Sequence, residues 1–250
     1  MSSPRSVGPP VFLVPPGTVG PRAVVTLDGP EGHHAAAVRR LRAGERADVS
    51  DGAGTLASCV VTSVGSDTVD LLVQSVTPVP PPSPAITVVQ ALPKGDRGEL
   101  AVEMMTEVGI DAVVAWQADR CVARREGARG EKALGKWRRT AREAAKQSRR
   151  AWIPPVTGPA GLDDVRGLVC DAACAVLLDA AAPVPLSRLA LPVTGSIVLI
   201  VGPEGGFAPA ERAALGAAGA LEARLGPTVL RTSTAGAVAA AILLTRSGRW

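Results

Sequence analysis

The chain has 250 residues, of which 46% are hydrophobic and 20% are charged, and its formal net charge is +4. So high an apolar content with so little net charge excludes a long disordered chain and allows one large domain or two modest ones. No run of eighteen uncharged apolar residues occurs, so we expect no membrane span. The proline-rich start lacks the apolar region of a signal peptide, so we expect a cytoplasmic protein.

Positive charge is concentrated between Arg120 and Arg150. This segment holds twelve Lys or Arg residues and three Glu, whereas the other 219 residues hold fifteen basic and twenty acidic side chains. A segment of +9 in a background of −5 indicates that a polyanion docks at one place rather than over the whole surface.

The cysteines and histidines indicate neither a disulfide framework nor a metal site. The two histidines, His33 and His34, are adjacent, and the cysteines lack the spacing of a zinc site. Two histidines also offer no Ser-His-Asp order. We therefore expect no metal, and we expect buried thiols at Cys59, Cys121, Cys170 and Cys174.

The segment Pro78–Pro84 predicts a boundary between two domains. Five of its seven residues are proline, and such a run forms a stiff extended connector rather than a helix or a central strand. The expected organisation is a first domain over residues 1–77, a linker over 78–85 and a second domain over 86–250.

Short β-type runs separated by Gly, Pro and Asp turns dominate the first domain. The runs are Val11–Val14, Ala23–Leu27, Ala47–Ser50, Thr55–Val64 and Thr68–Val76. A short helix is expected over His33–Arg42, where it would carry Arg39, Arg40 and Arg42. The pattern predicts a small β-barrel-like domain, a class that often binds RNA.

Apolar strands alternate with helices in the second domain, which predicts an α/β fold with a mostly parallel sheet covered on both faces. The expected strands are Ile86–Ala91, Ala112–Trp116, Ala175–Leu178, Ser196–Val201 and Leu221–Leu225. The expected helices are Arg97–Val108, Glu131–Arg149, Asp163–Leu168, Pro209–Ala218 and Thr234–Thr245.

The loop Gly202–Phe207, with the sequence GPEGGF, directly follows a predicted strand. Ligands bind at the carboxyl ends of strands in open α/β sheets, and glycines let a ligand lie against the backbone. A tight turn without a ligand is equally consistent with the loop alone. Because the carboxylate of Glu204 would repel phosphate oxygens, a cationic ligand such as S-adenosylmethionine fits better than ATP or NAD.

The second loop, Leu225–Thr234, also follows a predicted strand. A hydroxyl of Thr232, Ser233 or Thr234 is expected to cap the last helix. Arg231 precedes that helix, where the helix dipole disfavours a cation, so contact with an anion or a base is one explanation and a solvated side chain is the other.

The two loops, GPEGGF (202–207) and LGPTVLRTSTA (225–235), closely resemble those of the SPOUT-superfamily 16S rRNA methyltransferases of the RsmE family. Further matches are Gln90–Lys94 with the helix up to Ile110, Asp119–Cys121, and Gln147–Arg150 with Ile153–Pro154. The first domain looks like the PUA-like domain of that family. The resemblance implies S-adenosylmethionine-dependent methylation of N3 of one uridine in the small ribosomal subunit.

The resemblance also implies a doubly wound domain with a C-terminal trefoil knot, and a homodimer. It implies that the cofactor is held by Leu178, Gly202, Pro203, Glu204, Gly205, Gly206, Leu225, Gly226, Val229 and Leu230. Arg231 is the candidate catalytic residue, because a fixed cation would stabilise negative charge on the base. Many relatives have Glu where this chain has Ser233, so no carboxylate base is assigned there.

Phosphate contacts would position the RNA, the ribosomal 30S subunit being the expected partner. The candidates are Arg39, Arg40, Arg124, Arg125, Arg138, Arg139, Arg142, Arg149 and Arg150. Two alternatives stay open: a non-catalytic RNA-binding or ribosome-assembly protein of the same fold, and a SPOUT methyltransferase for another RNA site.

Overall fold

A computed structural model describes residues 8–121 and 127–250. The chain divides into two compact units. Unit 1 comprises Met1–Pro81 and Ala145–Ile153, and unit 2 comprises Pro82–Ala144 and Pro154–Trp250. A boundary in the proline-rich segment alone therefore does not describe unit 1, which takes a second piece of chain from the end of the basic segment. In the described part of the chain, no helix combines the length and hydropathy that a membrane crossing needs.

Unit 1 is built on a five-stranded sheet with the order β1-β3-β4-β5-β2. Its neighbouring strands are antiparallel except β1 and β3, which are parallel. Alternate residues of the strands enter the core, as Val69, Leu71 and Val73 do in β5. The strands are β1 (Val11–Leu13), β2 (Val24–Leu27), β3 (Arg46–Ser50), β4 (Thr55–Val64) and β5 (Val69–Pro78).

The helix predicted over His33–Arg42 is wrong in position. Helix α1 spans Gly29–His33 and continues as a π-helical turn over His34–Val38. Pro30 lies in its first turn, where the missing N–H of proline costs nothing. The π-helical turn ends at Val38, so the exposed Arg39 and Arg40 lie beyond the helix. The N–H of Leu41 then donates a hydrogen bond to the carbonyl oxygen of Ala35.

The second piece of unit 1 brings a buried lysine into it. Lys146 is 5% exposed, and its Nζ lies 2.7 Å from Glu31 Oε2 and 3.2 Å from His34 Nδ1. The same Nζ lies 5.3 Å from the ring centre of Phe12. Arg149 donates hydrogen bonds to the carbonyl oxygens of Gly8 and Pro9. Part of the basic segment thus stabilises unit 1 from within.

Unit 2 contains a six-stranded parallel sheet with the order β11-β9-β10-β6-β7-β8. This sheet confirms the predicted α/β class. The strands are β6 (Ala85–Ala91), β7 (Ala112–Trp116), β8 (Val156–Ala160), β9 (Cys174–Leu178), β10 (Ser196–Val201) and β11 (Leu221–Ala223). The helices are α2 (Arg97–Val108), α3 (Gly127–Gln147, which ends in unit 1), α4 (Leu162–Asp171), α5 (Pro209–Ala217) and α6 (Thr232–Arg246).

Strand β8 is absent from the predicted elements. It contains Gly158 and Pro159, and a proline within a short run argues against a strand in a prediction from sequence. The strand lies at the edge of the sheet, where a proline without an N–H donor is tolerated.

The order of the strands reverses between β6 and β10. From β6 the chain proceeds outward to β7 and β8, and it then crosses to β9, β10 and β11 on the other side. Loops at the carboxyl ends of strands that flank such a switch point diverge and leave a crevice. The loop Gly202–Phe207 follows β10 and therefore lies at this crevice, whereas the loop Leu225–Thr234 follows the edge strand β11 at the same carboxyl end of the sheet.

The four cysteines are free thiols. Cys59 and Cys121 are buried as expected, and burial raises the pKa of Cys59 to about 11, so its thiol stays protonated at neutral pH. The expectation is wrong for Cys170, which is exposed near the end of α4.

Replacing the buried lysine tests its role in unit 1. Lys146→Ala is expected to lower the free energy of unfolding by about 3 kcal/mol, because it leaves the half-buried Glu31 carboxylate without its cation. Lys132→Ala, which removes an exposed lysine of α3, is the matched control and should change stability by less than about 0.5 kcal/mol. Equal urea midpoints for the two variants would contradict this role.

Candidate active site

A cavity of about 410 Å³ lies at the carboxyl end of the parallel sheet. It is bordered by the loops that follow β9, β10 and β11, and by Arg97 at the start of α2. The volume is that of a site for a small molecule or cofactor. Its charged lining residues are Arg97, Asp179, Glu204 and Arg231. Its apolar lining includes Leu178, Val201, Ala223, Leu225, Leu230 and Ala235.

The shape of the loop Gly202–Phe207 is set by its own packing. A Cβ atom at Gly202 would lie 2.9 Å from the ring of Phe207, closer than real Cβ contacts. That ring stacks on the buried Trp116, with 5.9 Å between ring centres. The N–H of Gly206 closes the turn on the carbonyl oxygen of Pro203 at 2.9 Å, with Gly206 at φ +71°. The loop is therefore preorganised without a ligand.

Gly205 is not among the lining residues of the cavity, unlike the other residues of its loop. Its carbonyl oxygen accepts a hydrogen bond of 3.0 Å from Nη1 of Arg120, the first residue of the basic segment. This hydrogen bond anchors the loop, and the expected contact between Gly205 and a cofactor stays a prediction.

The two loops are joined by a hydrogen bond. Thr232 is buried, and its Oγ1 donates to the carbonyl oxygen of Gly202 at 3.2 Å. The prediction that Thr232, Ser233 or Thr234 caps α6 is wrong, because the cap position is Arg231 and no side chain caps that end. The hydroxyl of Thr232 instead donates the hydrogen bond that joins the two loops.

Arg231 occupies an electrostatically unfavourable place. Its carbonyl oxygen accepts the N–H groups of Thr234 and Ala235 at the start of α6, so the side chain lies near the positive end of the helix dipole. The side chain is exposed, and no hydrogen bond or ion pair holds it among residues 8–121 and 127–250. It is therefore available to a negatively charged group in the cavity.

Asp179, which directly follows β9, brings a fixed carboxylate to the cavity. Its Oδ2 lies 2.9 Å from Nη1 of Arg212, and its Oδ1 accepts the N–H of Ala181 at 2.7 Å. Arg212 also donates from Nε to Glu222 Oε1 at 2.5 Å, which raises the pKa of Arg212 and lowers the pKa of Glu222. The pair with Glu222 holds Arg212, and Arg212 holds Asp179.

Comparisons with known proteins identify the family. Residues 80–244 match the family described as an RNA methyltransferase domain, and residues 27–74 match an RNA methyltransferase PUA domain. The chain is 51% identical over 232 residues to ribosomal RNA small subunit methyltransferase E of Mycobacterium bovis, covering 91% of this chain and 88% of that protein. The chain belongs to the ribosomal RNA small subunit methyltransferase E family.

Solved structures of similar proteins agree with this assignment. The methyltransferase E of Neisseria gonorrhoeae, bound to S-adenosylmethionine, has a TM-score of 0.83 at 26% identity and covers 95% of this chain, with 98% of its own length matched. A methyltransferase from Legionella pneumophila with bound S-adenosylmethionine has a TM-score of 0.84 at 27% identity, with 96% and 98% covered. The resemblance inferred from the two loops is thereby confirmed.

Most of the residues that the sequence singles out line the cavity. Apart from Gly205, the expected cofactor residues and Arg231 all contribute to its wall. Sequence analysis missed Arg97 and Asp179. Both follow strands of the parallel sheet, so their position at the carboxyl ends of β6 and β9 was the available signal.

The basic residues are less uniform than their charge suggests. Arg138 donates to the carbonyl oxygen of Val156 at 3.1 Å and pairs with Glu131. Arg139 and Arg142 are exposed on α3, and within the described ranges no partner holds either side chain. Arg124 and Arg125 lie outside the described residues.

The pair of Arg212 with Glu222 gives a pH-dependent test. The pKa of Glu222 is lowered in the folded state. The charged carboxylate therefore stabilises the fold fully at pH values above its ordinary pKa of 4.5. This stabilisation is lost as the pH falls through the lower folded-state pKa. Glu222→Gln is therefore expected to lower the urea midpoint at about pH 7, and to lower it by less at about pH 3, which lies below the ordinary pKa of 4.5. Glu103→Gln, on the exposed face of α2, is the control. The same loss of stability at both pH values would contradict the assignment.

Proposed function

We propose that this protein, an S-adenosylmethionine-dependent rRNA methyltransferase, methylates N3 of one uridine in 16S rRNA. The observation that carries the proposal is the cavity built by the two glycine-containing loops at the switch point of a sheet in this enzyme family. A binding protein without catalytic activity would have no need of two loops preorganised around a cofactor-sized space.

The chemistry of the cavity suits the cofactor. Gly226 lines the cavity, and a Cβ atom there would meet nothing within 4 Å, so the cavity wall has room for a larger side chain at this position. The apolar lining suits an adenine ring, and the carboxylates of Asp179 and Glu204 suit a cationic ligand with hydroxyl and amine donors. The same carboxylates disfavour the phosphates of ATP or NAD.

We assign cofactor binding to the wall of this cavity. The residues are Leu178, Gly202, Pro203, Glu204, Gly206, Leu225, Gly226, Val229 and Leu230 from the loop motifs, with Asp179 added by the structure. Gly205 and Thr232 support them indirectly, through Arg120 and Gly202 respectively. Bound S-adenosylmethionine supplies a methyl group on a sulfonium, and the loops hold it for attack.

Arg231 is the proposed catalytic residue. Attack by N3 requires loss of its proton to solvent, and negative charge then develops on the flanking oxygens of the base. The N3–CH3 bond forms as the S–CH3 bond of the cofactor breaks, and S-adenosylhomocysteine leaves. A fixed guanidinium beside that charge stabilises the transition state more than the ground state. Ser233 is 4% exposed and does not line the cavity, so no base acts from that position.

The exposed arginines of α3 are proposed to dock the RNA. Arg139 and Arg142, with Arg138 beside them, present positive charge from one exposed helix face, and phosphate contacts of this kind position RNA without reading its sequence. Arg39 and Arg40 offer a similar surface in unit 1. The hydrogen bonds of Arg149 to the backbone of unit 1 limit its use for RNA.

We further propose that the enzyme acts in the cytoplasm, as a homodimer with a knotted C-terminal segment, on the assembled 30S subunit. Helix α6 supports a dimer, because Val238 is 36% exposed on a helix whose neighbouring residues are small and buried, such as Ala237 and Ala239.

The direct test is methylation of 30S subunits and of naked 16S rRNA, both from cells that lack this protein. The purified enzyme with S-adenosylmethionine is expected to form 3-methyluridine, with more of it in 30S subunits, as identified by mass spectrometry of nucleosides. A different methylated nucleoside would contradict the assignment of uridine N3 as the target atom. Failure to bind S-adenosylmethionine at millimolar concentration in calorimetry would favour an RNA-binding protein without catalysis.

A cavity-filling variant controls for the site. Gly226→Val is expected to weaken S-adenosylmethionine binding by more than about tenfold, or about 1.4 kcal/mol. Gly216→Val, in the exposed part of α5, adds the same atoms where nothing lies within 4 Å and should bind normally. Equal affinities for the two variants would place the cofactor elsewhere.

Catalysis and docking are expected to separate in kinetic measurements. Arg231→Ala should lower kcat by roughly 100-fold, because one fixed charge is lost from the transition state. The double variant of Arg139→Ala with Arg142→Ala should raise KM for 30S subunits at constant kcat and lower the salt dependence of binding. A raised KM for Arg231→Ala with a lowered kcat for the double variant would exchange the catalytic and docking assignments. Unchanged kinetics in both variants would contradict both assignments.

A further inference from the structure

A second cavity, of about 620 Å³, opens beside the cofactor cavity in unit 2. It lies around the turn that connects β6 to α2, and all of its lining residues are exposed, so we call it the acceptor groove. The acceptor groove is lined by Lys94, Gly95, Asp96, Arg97, Leu100 and Glu204.

The acceptor groove shares two lining residues with the cofactor cavity. Arg97 and Glu204 line both spaces, so the two spaces adjoin at these side chains. Transfer of a methyl group by in-line displacement requires the acceptor atom within about 3.5 Å of the methyl carbon. A site for the methyl acceptor must therefore adjoin the cofactor cavity, as this groove does.

We propose that the acceptor groove receives the target nucleotide after it leaves the RNA stack. The inference rests on the proposed function and adds the place where its RNA substrate reacts. An exposed groove suits a nucleotide that remains part of a large RNA, because its two neighbours must continue outside the site.

Lys94 provides the contact with the RNA backbone. Its side chain is exposed, it lines the acceptor groove but not the cofactor cavity, and in the part of the chain that the structure describes no carboxylate pairs with it. A lysine with these properties contacts a phosphate as a point charge.

Arg97 and Glu204 match the edge of uracil that carries N3. That edge presents two oxygen acceptors with one N–H donor between them. A guanidinium can only donate hydrogen bonds and a carboxylate can only accept them, so Arg97 suits an oxygen and Glu204 suits the N3–H group of the incoming base. Attack on the methyl carbon uses the position of that proton, so the bond to Glu204 is broken and the proton passes to solvent before the transfer. Arg231 in the adjoining cavity supplies a cation for the second oxygen. Cytosine, whose N3 is an acceptor, would be repelled by Glu204.

Leu100 provides an apolar surface for the base or its ribose. It is 46% exposed at the wall of the groove, so its apolar side chain is accessible to a ligand there. Leu100 lies three residues after Arg97 in α2, so the two side chains share one helix face. Contact with Leu100 would hold the base while its edge meets Arg97 and Glu204.

Kinetics with 30S subunits test the acceptor groove. Lys94→Ala is expected to raise KM for 30S subunits by about threefold or more, to reduce the slope of log affinity against log salt by about one, and to leave kcat and S-adenosylmethionine affinity unchanged. The control is Arg188→Ala, which removes one exposed cation of unit 2 that lines neither cavity. Identical salt slopes and KM values for the two variants would overturn the backbone contact.

Photocrosslinking tests the position of the base. A benzophenone side chain at position 100 is expected to crosslink the RNA at the methylated nucleotide or its immediate neighbours, whereas one at the 87% exposed position 193 should not. Crosslinking does not require methyl transfer, so it distinguishes a wrong target atom from a wrong location of the target nucleotide. A crosslink at a nucleotide methylated on another atom overturns only the N3 assignment. Normal N3 methylation with no crosslink from position 100 at that nucleotide overturns the acceptor groove.

Discussion

The parallel pairing of β6 with β10 is the constraint on which the site depends. These strands meet where the strand order reverses, so the loops that leave their carboxyl ends must diverge and cannot fill the space between them. The loop after β10 and the start of α2 face that space from opposite sides. The hydrogen bond from Thr232 to Gly202 then ties the loop after β11 to the loop after β10, so one cavity forms from segments far apart in the sequence.

The charges around this cavity are mixed, and each partner of the reaction meets at least one charge of opposite sign. Asp179, which is held by Arg212, lines the cofactor cavity and suits a cationic ligand there. Lys94 lines only the acceptor groove, where it suits a phosphate although Asp96 and Glu204 lie in the same groove. Because both signs of charge line each space, a sulfonium cofactor and a phosphate-bearing RNA each find a complementary group in the wall.

The basic segment has three physical roles rather than one. Arg139 and Arg142 remain exposed on α3, whereas Lys146 is buried beside Glu31 and Arg149 is bonded to backbone carbonyls of unit 1. Formal charge alone could not separate these groups, since a buried paired lysine and an exposed one count equally in a sum. Arg120 adds a third use, because it supports the glycine loop through Gly205.

The sequence by itself determined the α/β class, the strands with continuous apolar runs and both loop motifs, because periodicity and glycine content are local properties. It misplaced the helix after β2, because a proline such as Pro30 breaks a helix except in its first turn. It missed β8, because a proline such as Pro159 disrupts a strand except at places such as the edge of a sheet. Only the tertiary structure decided that Asp179, Arg97 and Thr232 belong to the site. Their roles depend on which strand ends become neighbours, and the pairing of distant strands is a property of the folded chain rather than of any segment.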